Sequence, residues 1–238
     1  MKLDASTMDY RALNAAIRDA GDDVMIDNCC GQRFIGAGLE GKTITINGTP
    51  GNALGAYLDG AVIKVNGNAQ DAVGDTMNDG AVIIDGNAGD ALGYAMRGGK
   101  IFVRGHAGYR TGIHMKEYKE KRPVIVVGGT VGSFLGEYLA GGLIVVLGLG
   151  SDTLPVGNFT GTGMHGGSIF IRCDEAPRSL PAQVTAEIAG PDELEEIRPV
   201  LREYADSFSM DAEALLSCRF YRLRPNAKNP YKKLYTAN

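Results

Sequence analysis

Glycine recurs at a fixed interval through the middle of this 238-residue chain. Gly48, Gly67, Gly86 and Gly105 lie 19 residues apart, and each is followed seven residues later by a second glycine: Gly55, Gly74, Gly93 and Gly112. Gly129 comes 24 residues after Gly105 with its partner Gly136 in place, Gly148 follows 19 later, and Cys173 comes after six further inserted residues. Backwards, Cys29 and Gly36 occupy the same two slots. Of 34 glycines, 33 fall between Gly21 and Gly167. A fixed period of this size marks a solenoid, whose units bury an apolar face only against their neighbours.

Apolar residues keep the same register. Four positions before the marker stand Ile44, Ile63, Val82, Ile101, Ile125, Ile144 and Ile169; two before it stand Ile46, Val65, Ile84, Val103, Val127, Val146 and Ile171. Six after it come Leu54, Val73, Leu92, Thr111, Leu135 and Leu154, and ten after it Leu58, Met77, Met96, Met115 and Leu139, with Met164 in the same column once six inserted residues are allowed for. Residues two apart share one face of a strand. Nineteen residues cannot hold a strand and a full helix, so each unit is read as short strands turning around a core. The glycines then sit at corners, where a left-handed or crowded backbone tolerates no Cβ. Stacking at about 4.8 Å gives seven to eight coils and a rod about 35 to 40 Å long. The chain is therefore an all-β protein, a parallel β-helix. Spacing kept to the residue excludes a glycine-rich sandwich, and a 19-residue period excludes the hexapeptide-based left-handed helix.

Both ends of a solenoid expose edges and need caps. Ser6 or Thr7 is read as the N-cap of a helix carrying Tyr10, Leu13, Ala16 and Ile17 and closed by Gly21. Pro191, with Asp192, Glu193, Glu195 and Glu196, reads as an acid-rich helix start, kinked at Pro199. A short helix over 211–217, an extended segment Phe220 to Leu223 and an irregular arm from Asn226 to Tyr235 complete the chain. The organisation expected is a cap over 1–22, the β-helix over 23–175, and helices with a basic arm over 176–238.

Charge narrows the function. The net charge is −4, yet Cys218 to Asn238 holds six basic residues and no acid, so the remainder stands at −10. An acidic body argues against a nucleic-acid protein. The opening residues carry two acids and no apolar run, unlike a signal peptide, and no stretch is apolar enough to span a bilayer. A cytoplasmic setting without membrane or nucleic-acid partners is expected; homo-oligomers remain open.

Catalytic constellations are sparse. Gly161-Thr-Gly-Met-His-Gly166 has GxGxxG spacing but no surrounding βαβ unit, and it falls in the coil register. His106, His114 and His165 are scattered, and no cysteine pair has metal-ligand spacing. Cys173 is read as a small buried hydrophobe. Asp71 and Asp90 lie one period apart and read as a solvated edge rather than an acid/base pair. The charged insertion Met115 to Pro123 leaves the core at a corner, where repeat proteins often meet partners.

The segments Gly86-Asn-Ala-Gly-Asp-Ala-Leu-Gly93 and Met96-Arg-Gly-Gly-Lys-Ile-Phe-Val-Arg-Gly105 resemble the GXGXG repeat, which forms the C-terminal domain of the large (alpha) subunit of glutamate synthase. Gly112-Ile-His-Met-Lys116, Phe134 to Leu139 and Phe220-Tyr-Arg-Leu-Arg-Pro225 are similar to its free-standing "domain 3" forms. One subunit of formylmethanofuran dehydrogenase and one of methylamine–glutamate N-methyltransferase are similar too. The resemblance covers roughly residues 20 to 235. It implies a right-handed β-helix bearing no catalytic residue, with glutaminase, FMN and iron–sulfur cluster elsewhere. Residue 2 is Lys2 rather than a cysteine nucleophile, and the chain has no room for the flavin barrel. Separate glutaminase and FMN/iron–sulfur synthase subunits are thus the expected partners. No cofactor, metal or catalytic residue is assigned to this chain. A free-standing enzyme acting at an outer face is the rival reading. The expected contacts are Lys116, Glu117, Tyr118 and Lys119 of the insertion, and Arg222, Arg224, Lys232 and Lys233 of the basic end.

Overall fold

The computed structural model describes residues 1–226. Strand β1 (Lys2–Asp4) is followed by a 3₁₀ turn (Ala5–Thr7) and helix α1 (Tyr10–Asp19). Eight strands follow at one per coil: β2 (Asp23–Cys30), β3 (Thr43–Thr49), β4 (Asp59–Asn66), β5 (Asp79–Ile84), β6 (Lys100–Val103), β7 (Val124–Val127), β8 (Ala140–Val146) and β9 (Gly166–Arg172). Each pairs in parallel with the next, so the chain is a β-solenoid of eight turns. The registers Ile44↔Ile63, Ile63↔Val82, Val82↔Ile101, Ile101↔Ile125, Ile125↔Ile144 and Ile144↔Ile169 place one aliphatic column in a continuous ladder. Every member of that column has zero exposure. Each such side chain contributes about 1.5–3 kcal/mol relative to exposure.

The rest of each coil is held by repeated backbone bonds. Gly55, Gly74, Gly93, Gly112, Gly136 and Gly161 donate their N–H groups to Ile35, Leu54, Val73, Leu92, Thr111 and Leu135 of the preceding coil, at 2.7–2.8 Å. This column has positive φ. At Gly93 the requirement is double: φ is +68°, and a Cβ would overlap Cδ1 of Ile125 in the core. The marker glycines Gly86, Gly105 and Gly129 are not left-handed. A Cβ on Gly129, for instance, would come 2.5 Å from His106 Nδ1 and 2.9 Å from the carbonyl of Gly105. Crowding by the preceding coil, not conformation, selects glycine there.

One column is displaced from its expected place. Leu154 is exposed, and Thr160 fills the buried slot below Leu135 and Thr111. The six extra residues enter between the end of β8 and the turn, starting at Gly148, so the turn register moves to Gly161. Thr111 and Thr160 bury their hydroxyls by the same local bond, donating to Gly108 and Gly157 carbonyls at 3.2 and 3.3 Å. Gly161-to-Gly166 is accordingly a coil corner.

At the N-terminal end α1 lays Leu13 and Ile17, both fully buried, over the core. Its N-cap is Asp9, accepting from Arg11 and Ala12 N–H at 2.9 and 2.8 Å, rather than Ser6 or Thr7. Asp4 captures the Ser6 N–H at 3.0 Å and turns Ala5–Thr7 into the 3₁₀ segment. Ala20, extended, ends the helix, so Gly21 makes no left-handed cap.

The other end is closed by strands. β11 (Phe220–Pro225) returns antiparallel to β9, and β10 (Val184–Ile188) pairs antiparallel with β11. Val184 and Leu223 seal the core there. Helix α2 (Pro191–Phe208), started by the Glu193 carboxylate accepting from Gly190 N–H, instead covers the sheet's outer flank together with α3 (Ala212–Leu216). Ile197, Leu201, Tyr204 and Phe208 pack on Phe102, Val126, Val145 and Phe170, which point outward from β6–β9. Pro199 lies inside the helix on its exposed side, where the carbonyl it cannot serve faces water.

An acid-sensitive tie fastens the first strand. Asp4 accepts from the Asn28 amide at 3.0 Å and from Ser6 N–H, and these bonds hold its carboxyl down at about 2. The Lys2 ammonium, 2.7 Å away, and the Asn47 amide lower that of Asp27 as well. Groups depressed on folding stabilise above their unfolded values, about 4, and lose that contribution as pH falls through the folded ones. Amide exchange should show protection of Lys2–Thr7 fading between about pH 4 and pH 2 while coil amides stay protected. Simultaneous loss in both regions would contradict the assignment.

Candidate interaction surface

The polar side chains outside the coils are arranged as ladders. The Asn68 Oδ1 accepts from Asn87 N–H, and Asn87 Oδ1 accepts from His106 N–H, both at 2.8 Å; His106 Nδ1 then accepts from Thr130 N–H at 3.0 Å. Beside it, Asp71 Oδ1 accepts from Asp90 N–H at 2.9 Å and Asp90 Oδ1 from Tyr109 N–H at 2.8 Å. Asp71 and Asp90 thus fix each coil to the next and are not set up as an acid/base pair. The other histidines have local partners: His114 stacks on Tyr138 at 5.0 Å, and His165 Nδ1 is 3.0 Å from the Gly163 carbonyl. Among the described residues no group of three or more histidine, cysteine or carboxylate side chains converges on a metal site, and no helix is long and apolar enough to cross a membrane.

The insertion after Met115 is braced at its base and open at its tip. Glu117 accepts from Gly142 N–H at 3.0 Å; Lys121 sits 3.2 Å from both Asp59 and Asp79; Arg122 pairs with Glu196 of α2. Tyr118 and Lys121 close a tight antiparallel turn, with Lys119 left-handed and over the Tyr118 ring. Lys116, Tyr118 and Lys119 are exposed.

The basic end behaves differently. Arg222 is only 17% exposed: it pairs with Glu196 at 2.8 Å, donates to Ser168 Oγ at 3.0 Å, and lies over the Phe170 ring. It joins α2 to the end of the solenoid and is not an available contact, because the strand carrying it folds back onto β9. Arg224 pairs with Glu187 at 3.2 Å and stays exposed. Lys232 and Lys233 lie outside the described residues.

A groove of about 920 Å³ opens where the Gly148 excursion meets the last coil, lined by Ser151–Pro155, Arg172, Cys173 and Arg219. Two of its arginines bond to backbone, Arg172 donating to the Leu147 carbonyl and Arg219 to that of Asp174, while Arg178 pairs with Glu175 at the surface. Burial pushes the Cys29 and Cys173 thiols up to about 11, and Cys173 is only partly buried, not enclosed as expected. Iodoacetamide at neutral pH should therefore modify exposed Cys30 well ahead of Cys29 and Cys173, read by peptide mass. Equal labelling of Cys29 and Cys30 would show the first coil open.

Comparison with known proteins agrees with this architecture. The family model for the GXGXG motif matches residues 9–226. The chain is 42% identical over 249 residues to uncharacterized protein MJ1350 of Methanocaldococcus jannaschii, covering 98% of this chain and 95% of that one. A chain in the crystal structure of the formyltransferase/hydrolase complex (FhcABCD) from Methylorubrum extorquens, in complex with methylofuran, superposes with a TM-score of 0.65 at 20% identity, over 92% of this chain and 89% of that one. With its ladder of glycine corners and a family match over nearly its whole length, this chain belongs to the GXGXG family.

Proposed function

We propose that this chain is a scaffold subunit of a multi-subunit enzyme, a rod that fixes the separation and orientation of catalytic partners and performs no chemistry itself. The observation that carries this reading is the continuous inter-coil bonding, which makes eight coils one stiff body while its outer polar groups serve as braces. Holding two active sites in a set geometry has chemical value when a reactive product of one is the substrate of the other.

Two assemblies compete. In a glutamate synthase-like complex the partners would be a glutaminase and a synthase carrying FMN and an iron–sulfur cluster, with ammonia passing between them. The second is a formyl-transferring complex, favoured by the near full-length superposition on a chain of the formyltransferase/hydrolase complex. The tip around Tyr118 and Lys119, exposed Arg224, and Lys232 and Lys233 are proposed contacts in either, within the cytoplasm. Affinity capture followed by peptide sequencing of the proteins that co-purify separates the two. Adding the purified chain to the separated catalytic partners should raise the coupled reaction and leave each half-reaction unchanged. Turnover by the chain alone overturns the scaffold reading.

A further inference from the structure

The repeat carries its own internal controls for asking which side chains the fold needs. Five and nine residues after the marker, each coil has left-handed residues besides its glycine. Ala53, Ala72 and Ala91 fill the first slot, and Ala95 the second, so alanine satisfies this backbone. Yet Phe34, Phe134 and Phe159 stand in the first slot and Tyr57, His114 and Tyr138 in the second. Bulky residues at positive φ are uncommon and strained. Several are also exposed: Tyr57 by 58%, Phe159 by 56%, and neighbouring Tyr109 by 54%. Some stack between coils, as Phe134 does on Phe159 at 4.9 Å, but Tyr57 joins no such pair among the described residues. The solenoid thus holds aromatic rings toward solvent along one edge, at sites where alanine would do.

The same edge also carries acids. In the slots at and beside the left-handed residues stand Asp71, Asp75, Asp90 and Glu137, against Arg33 and Arg110. Asp59 and Asp79 share Lys121, and Asp85 takes Arg104. Asp71, Asp75 and Asp90, which lie between the rings, have no cationic partner among the described residues. A guanidinium beside both a ring and a carboxylate is already present nearby: Arg110 lies 5.0 Å from the Phe134 ring centre and 3.1 Å from Glu137.

We propose that this left-handed edge is the docking face for a partner protein of the complex, and that it fits a basic surface whose arginine and lysine side chains lie across the exposed rings and between Asp71, Asp75 and Asp90. Like charge on both sides disfavours a second copy of this chain as the occupant. The inference rests on the scaffold reading and names where the partner sits.

The test uses the complex as isolated from its own cells. Hydroxyl-radical footprinting should oxidise Tyr57, Tyr94, Tyr109 and Phe159 far more slowly in the complex than in the free chain. Carbodiimide should join Asp71, Asp75 or Asp90 to partner lysines. The Tyr57→Ala/Phe159→Ala double variant should stay folded and melt only slightly below the parent, since alanine is native to equivalent slots and only the Phe134 stack is lost, and should bind the purified partner at least about tenfold more weakly. An intact complex with rings as reactive as in the free chain overturns this docking face and leaves the scaffold reading standing. Unchanged affinity in the double variant, or ring protection by a second copy, also overturns it. A chain that forms no complex removes both readings.

Discussion

Gly93→Val should lower the melting temperature by roughly 5–20 °C. Two costs add. Holding a β-branched residue at φ +68° costs about 1–3 kcal/mol, and forcing its side chain toward Ile125 Cδ1 costs a further ~1–3 kcal/mol by overpacking. Both act at a position whose N–H bonds the preceding coil at 2.8 Å to Val73, so strain there also weakens the inter-coil ladder. Ala95, two residues on and equally left-handed, provides the control. Ala95→Gly relieves a conformational cost while loosening the unfolded chain, and should change stability by no more than about 1 kcal/mol. Differential scanning calorimetry on both variants checks the pair. A Gly93→Val protein that melts with the parent would mean the corner does not face the core.

Tyr204→Ala should cost about 3–5 kcal/mol, as expected for emptying a large buried aromatic site. The ring is fully buried between α2 and the sheet, in edge contact with Phe102 at 5.7 Å and Phe208 at 4.9 Å. Its hydroxyl donates to the Val103 carbonyl at 3.3 Å, and burial pushes the phenol's pKa well above its usual range. The loss should be local. Amide exchange is expected to rise across Pro191–Leu216 while the ladder from β2 to β9 remains protected, because units of a solenoid are stabilised mainly by their neighbours. Tyr204→Phe, which keeps the ring, should lose only about 1 kcal/mol. Opening of the whole solenoid in Tyr204→Ala would show that the flanking helices hold the coils together.

The coil architecture was legible because two properties repeat to the residue. Ile44, Ile63 and Ile101 must face the core at each turn, and Gly74, Gly93 and Gly112 must lack a Cβ where the chain bends. What the period does not constrain was harder to read. The six residues after Gly148 could enter the coil at more than one point, and exposed Leu154 mimicked the column that Thr160 completes. The place of α2 was signalled in the outward residue of each strand, which changes from Thr45 and Lys64 to Phe102, Val126, Val145 and Phe170. Apolar residues on both faces of a strand mark a sheet covered on both sides. The ladders through Asn68, Asn87, Asp71 and Asp90 had a signal too, in their 19-residue spacing, but a side chain bonding a backbone N–H one coil away leaves no mark in composition. Arg222 was counted with the exposed basic end because charge runs do not show which member folds back onto Glu196.

The native mass of the complex drawn gently from its own cells tests the scaffold account most directly. The account predicts a species heavier than the 25.2 kDa chain whose mass is made up by at least two different partner proteins. A lone 25.2 kDa species, or an oligomer of this chain and nothing else, would contradict it.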